Sequence, residues 1–167
     1  MIFHEMWHGV GSLEVWKRLE GGHLMEIPAQ YTHDPGDYGR ALYFTDLQLR
    51  AKAYAARHDD KRLLVQVTLE LVKPLVIDWR PGGAAAALDK RHPANLMLEM
   101  LENRFGNPVQ GVPEIREAVA LRWRRELMAE GYDAIVVHHK EDTEVASYDP
   151  VRSVRDLKFV EIPMEGR

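Results

Sequence analysis

His4-Glu5-Met6-Trp7-His8-Gly9 reads in two incompatible ways. Coiled into a helix, His4-Glu5-Met6-Trp7-His8 is a literal H-E-x-x-H motif. Two histidines one helical turn apart would then ligate zinc, and Glu5 would act as general base on a metal-bound water. Gly11 and Glu14 extend the likeness to H-E-x-x-H-x-x-G-x-x-H, although that pattern carries histidine where this chain has Glu14. Drawn out into a strand, the same residues alternate between opposite faces, and His4 and His8 cannot clasp one metal at helical spacing. Met1-Ile2-Phe3 is too short a lead to start the helix, or the upstream sheet, on which a zinc protease depends. The stretch is therefore expected to be an early strand.

The 167 residues suffice for one domain with its own core, and a single domain spanning 1–167 is expected. Hydrophobic residues make up 46% and charged residues 29%, an ordinary balance for a globular protein. No apolar run approaches the ~18 residues of a membrane-spanning helix, and no secretory leader is visible, so a cytoplasmic protein without a membrane partner is expected. The chain has no cysteine, which excludes disulfides, thiolate metal sites and cysteine nucleophiles and agrees with a reducing compartment. A net charge of −4 argues against nucleic-acid binding by bulk electrostatics. Two basic clusters, Arg122-Arg124-Arg125 and Arg152-Arg155-Lys158, read first as solvated faces of a helix and a strand.

Along the chain, Leu13, Trp16 and Leu19 fall at helical spacing between Ser12 and Gly21-Gly22 and predict a short helix. Residues 28–40, rich in Pro, Gly and Asp, read as a long loop. Ala41–Thr45 reads as a short buried strand and Asp46–His58 as a helix. Leu63, Val65, Val67, Leu69 and Leu71 alternate with other residues, the pattern of a strand. Leu75–Trp79 reads as another strand, 80–93 as a loop and 94–104 as a helix. A further helix runs from Pro113 to Glu130, with proline suited to its first turn and Gly131 to its exit. Tyr132–His139, Val145–Tyr148 and Val154–Ile162 read as strands. Helices and strands mix without a βαβ rhythm, which predicts an α+β fold with mainly antiparallel strands. No glycine-rich phosphate loop follows a strand.

Three separated stretches together resemble ADP-ribosyltransferases of the poly(ADP-ribose) polymerase and diphtheria-toxin class. Trp7-His8-Gly9 resembles their W-H-G segment. Gly39-Arg40-Ala41-Leu42-Tyr43-Phe44-Thr45-Asp46 resembles G-K-G-I-Y-F-A-D, and Tyr54 stands in the following helix where the family places a second tyrosine. Glu144-Val145-Ala146-Ser147-Tyr148-Asp149-Pro150 resembles the E-Y-I-V-Y-D segment that carries the catalytic glutamate. The resemblance runs from about Trp7 to Val160 and leaves 80–112 as an insertion. It implies split antiparallel β-sheets flanked by helices, with NAD as co-substrate and no metal.

Such an enzyme breaks the bond between nicotinamide and ribose through an oxocarbenium-like centre, the electronic problem of glycoside hydrolysis. The resemblance implies that Glu144 bonds a ribose hydroxyl and steadies the developing positive charge. Tyr43 and Tyr54 would sandwich the flat nicotinamide cation. His8 would hold the other ribose, and the Gly9 backbone would pair with the carboxamide. Ala51 stands where the family often has a serine on the carboxamide, an absent hydrogen bond of order 1 kcal/mol. Val10 replaces a small hydroxyl residue.

Without a regulatory helical domain, single transfer is implied rather than polymer synthesis. The acceptor stays open between protein and nucleic acid. The small size resembles toxins and defence effectors, for which an antitoxin or immunity partner is expected. Two other classes remain: a zinc hydrolase built on His4, Glu5 and His8, and a catalytically silent member of the fold that binds NAD or a partner.

Overall fold

The structure, a computed structural model, describes residues 1–10, 22–25, 38–55, 63–78, 80–81 and 113–162. The helix expected after Ser12, most of the loops at 28–40 and 80–93, the helix at 94–104 and the 80–112 insertion lie outside the described residues.

Seven strands form one mixed sheet: β1 (Ile2–Val10), β2 (Leu42–Thr45), β3 (Leu63–Glu70), β4 (Pro74–Asp78), β5 (Ala134–His138), β6 (Thr143–Ser147) and β7 (Val154–Glu161), in the order β4-β5-β6-β2-β1-β3-β7. The helices among the described residues are α1 (Gln48–Ala55), α2 (Pro113–Ala129) and the single turn α3 (Pro150–Ser153). This is the expected α+β class. All neighbouring strands run antiparallel except β4 and β5, which pair in parallel from Pro74↔Ala134 to Asp78↔His138; α2 lies in the chain between them. No helix among the described residues is long and apolar enough to cross a membrane.

The opening stretch is a strand. β1 pairs with β3 from Ile2↔Glu70 to Val10↔Leu63, with an irregularity between Phe3 and Met6. Glu5 sits there at φ +56°, in the left-handed region that a bulge can require. His4 and Glu5 are exposed, and Met6 is buried. The helical spacing that a zinc site on His4 and His8 requires is absent.

Sheet alternation sorts the core onto two faces. Met6, Val10, Leu42, Phe44, Val65, Val67, Val136 and Val145 form one cluster. On the other face α2 contributes Trp123 and Leu127 to a cluster with Ile77, Ile135, Val137 and Ala146. Beside it, α1 sets Ala51 and Ala55 on Leu64, with Trp7 packed against them. The apolar run Ala134–Val137 is buried on both faces, as its lack of alternation requires. At its exit α2 ends on Gly131 at φ +83°, with the Tyr132 N–H bonded to the Leu127 carbonyl at 3.0 Å.

The sheet is nearly split. β1 and β2 share a single register pair, Trp7↔Thr45. One half is β1-β3-β7 and the other is β2-β6-β5-β4, and beyond Trp7 the two central strands no longer pair as a ladder.

Candidate functional site

Glu144 is the second residue of β6, opposite Thr45 on β2 and Val137 on β5. Thr45 in turn is the residue paired with Trp7. Glu144 therefore stands in line with the one junction between the sheet halves, on the face that the helices cover. The strand begins at Thr143, two residues before the sequence pattern places it, because Thr143 and Glu144 are polar members of a laddered strand.

The β2–α1 corner brings a cation to this point. The Leu47 N–H bonds to Thr45 Oγ1 at 3.1 Å. Asp46 is tied to β6 twice: its N–H bonds to the Thr143 carbonyl at 3.1 Å, and its carboxylate accepts from the Thr143 N–H at 2.7 Å. These bonds hold Asp46 outside the helix, so α1 starts at Gln48 and not at Asp46. They also aim its first turn at the hairpin between β5 and β6. Arg50, in that turn, pairs with Asp142 through Nη1 and approaches Glu144 Oε2 through Nη2 at 3.4 Å. Thr45 Oγ1 donates to the same Asp142 carboxylate at 3.2 Å.

His139 Nε2 lies 3.6 Å from Glu144 Oε2. The Glu144 side chain is 13% exposed. Burial pushes its carboxyl above the ordinary range, Arg50 and then His139 pull it back, and Asp142 adds a push upward.

His8 alternates onto the face of Met6 and Val10, across from Val65 on β3. Its ring tilts against Phe44 with centroids 5.6 Å apart. Nδ1 lies 2.7 Å from the Tyr43 carbonyl, a contact that spans the seam between the sheet halves. A carbonyl can only accept, so Nδ1 carries the proton and a neutral ring presents Nε2 as its acceptor nitrogen.

Tyr43 is fixed by its hydroxyl, which donates to the Gly39 carbonyl at 2.6 Å and accepts from the Tyr38 N–H at 3.0 Å. Its ring stacks on Tyr38, centroids 6.3 Å apart and planes 27° apart. Tyr148 donates to the Tyr38 carbonyl at 2.9 Å. Burial raises all three phenols well above their ordinary value, so they act as neutral hydrogen-bonding groups. The turn that permits this contains Gly39 at φ +90°, where an added Cβ would meet Arg124 Cβ at 2.6 Å and Ala120 O at 2.7 Å.

Sequence reasoning supplied Glu144, His8, Gly9, Tyr43, Tyr54 and Ala51. Glu144 and Tyr43 share one face, and the charge of Glu144 acts on the Tyr43 phenol. Tyr54, 47% exposed on α1, interacts electrostatically with Tyr38 and Arg50. The ring stacked on Tyr43 is that of Tyr38.

Gly9 and Ala51 lie where α1 packs on the sheet. A Cβ on Gly9 would overlap the Ala51 carbonyl oxygen and come within 2.7 Å of Ala55 N, so the space that the glycine leaves holds the α1 backbone. Ala51 is itself buried against Leu64. Val10 is wholly buried.

The residues that sequence reasoning missed are Arg50, His139, Asp142 and Tyr38. Tyr38 had one signal, a second tyrosine just ahead of the Gly39–Asp46 segment. Among the described residues no group of three or more acidic or histidine side chains is placed to hold a metal ion.

No family model matches the chain, and the search of curated proteins returns no significant match. Two solved structures show a low likeness. The M. tuberculosis MbcT–MbcA toxin–antitoxin complex is 11% identical over 95% of this chain and 84% of the matched chain, with a TM-score of 0.41. An anti-CRISPR protein is 15% identical over 97% of this chain and 96% of its own, with a TM-score of 0.33. Likeness at that level leaves the activity to be argued from the site.

Proposed function

We propose that the chain is a mono-ADP-ribosyltransferase that cleaves NAD at the nicotinamide–ribose bond and passes ADP-ribose to a macromolecule, protein or nucleic acid. The observation that carries this reading is the placement of Glu144, a largely buried carboxylate at the seam that His8 and Tyr43 bridge. Arg50 and His139 both approach Oε2. Oε1 is then the oxygen to accept a hydrogen bond from a ribose hydroxyl. As the carbon–nitrogen bond breaks, its electron pair leaves with the nicotinamide nitrogen. The positive charge that develops on the ribose falls beside a carboxylate shielded from water, where it is stabilised far more than in bulk solvent.

The residues present fit this substrate in two respects. His8 holds the seam together beside Glu144 through its Nδ1 bond to the Tyr43 carbonyl. Tyr54 leaves an exposed aromatic surface on the helix that carries Arg50. The reading of a catalytically silent member drew on Ala51 and Val10, and both are core packing residues here. Their departure from the family pattern does not count against a site. The role of a toxin or defence effector, with an antitoxin or immunity partner, belongs to the same proposal and rests on the sequence resemblance.

The test is nicotinamide release from NAD by the purified chain. Glu144→Gln is expected to lower the rate by about 10²- to 10³-fold, the scale of losing one electrostatic stabiliser, while NAD binding measured by calorimetry persists. A Glu144→Gln protein with the full rate would end this reading.

A further inference from the structure

We propose that His139 is the base that removes the proton of the acceptor as ADP-ribose is transferred, an inference that rests on the NAD-cleaving role of Glu144. His139 follows β5 in the hairpin to β6, and its N–H closes that hairpin on the Asp142 carbonyl at 2.8 Å. Alternation separates it from its neighbour: the His138 ring is held by Thr143 Oγ1 at 3.0 Å, and the His139 ring turns toward Glu144.

Two features set His139 apart from a structural histidine. Its Nε2 is shielded from solvent yet makes no hydrogen bond among the described residues, and 3.6 Å to Glu144 Oε2 is too long for a formed one. Its side chain is 32% exposed against 13% for Glu144, so it is the more accessible of the two groups. The charged group within reach of it is Glu144 from β6, which Arg50 from α1 also approaches, while Asp142 of its own hairpin pairs with Arg50.

The reaction needs such a group. The bond from ribose C1′ to the nicotinamide nitrogen breaks, and a bond from C1′ to an acceptor oxygen or nitrogen forms. The acceptor must then lose a proton. Glu144 is a poor recipient, engaged by the ribose hydroxyl on one oxygen and approached by Arg50 on the other. The imidazole of His139, 3.6 Å from Glu144 Oε2, takes that proton on Nε2. The arrangement parallels inverting glycosidases, in which one group serves the sugar and a second activates the incoming nucleophile.

The test uses the full chain with NAD as substrate and water as acceptor, measuring nicotinamide release, NAD affinity by calorimetry, and the response to added imidazole. His139→Ala is expected to lower the rate about a hundredfold with NAD affinity unchanged, and free imidazole to restore it about tenfold or more in that variant. Glu144→Gln is expected to show no response to imidazole. His139→Gln, which keeps a polar side chain on the hairpin, is expected to lose the rate without loss of fold by circular dichroism.

A His139→Ala protein at the wild-type rate would overturn the inference alone. So would one that weakens NAD binding and ignores imidazole, which would make His139 a counter-charge to Glu144. A wild-type chain that releases no nicotinamide would end both the inference and the function on which it rests.

Discussion

At the scale of single residues, the cost of the site is concentrated on Glu144. Its carboxyl is raised above the ordinary 4.5 because burial disfavours the charged form more than Arg50 and His139 favour it. The folded chain therefore keeps a proton that the unfolded chain releases between the ordinary value and the elevated one. Where the native state binds more protons, stability falls as pH rises. The contribution of Glu144 is fully present below the ordinary carboxylate value and is lost as pH climbs through the raised one. Urea midpoints compared between wild type and Glu144→Gln across this range isolate the effect, since other carboxylates are common to both. The expected result is that the variant gains on the wild type as pH rises. A constant difference between the two would mean that the carboxylate is fully compensated by Arg50.

At the scale of elements, α1 is held against the sheet by what β1 lacks. Gly9 opens the space that the α1 backbone enters, and Ala51 and Ala55 are small enough to seat the helix on Leu64. This makes Ala51→Ser an informative substitution. If the position faced the carboxamide, serine would tighten NAD binding. Buried here, an added hydroxyl without a partner is expected to cost about 1–3 kcal/mol of folding stability in denaturant melts and leave NAD affinity unimproved.

The same helix marks the limit of what the sequence could reveal. The apolar run of β5, the alternation of β3 and the proline and glycine at the two ends of α2 are local signals, and each produced its element. The start of α1 is not local: Asp46 resembles a helix cap in sequence and instead bonds Thr143. Arg50 and Asp142 stand 92 residues apart, and nothing in either neighbourhood announces their pairing. Glu144, His8 and Tyr43 were legible only through resemblance to a family. Arg50 and His139, which set the electrostatics of Glu144, became visible only when the strands were placed side by side.

For the whole molecule, the consequence of the topology is a sheet whose halves meet at Trp7↔Thr45 and at the bond from His8 to the Tyr43 carbonyl. The parallel pairing of β4 with β5 makes one half continuous with the cluster under α2, and β1-β3-β7 builds the other with α1 in the angle between them. A seam with so few backbone bonds is the natural place for local opening at a free energy below that of global unfolding. A ligand that touched β1 on one side of the seam and Glu144 and Tyr43 on the other would bind the closed seam and not the open one. At a hundredfold excess over its dissociation constant it would stabilise the closed form by about 2.7 kcal/mol. Hydrogen exchange reads this directly. With saturating NAD, the amides of His8, Gly9, Tyr43 and Glu144 are expected to slow by the same factor as those of the fully buried Ile135 and Val136, because neither the open seam nor the unfolded chain would bind the ligand. Slowing of Ile135 and Val136 without slowing of the seam amides would place the bound NAD away from the seam and make the split a feature of the fold alone.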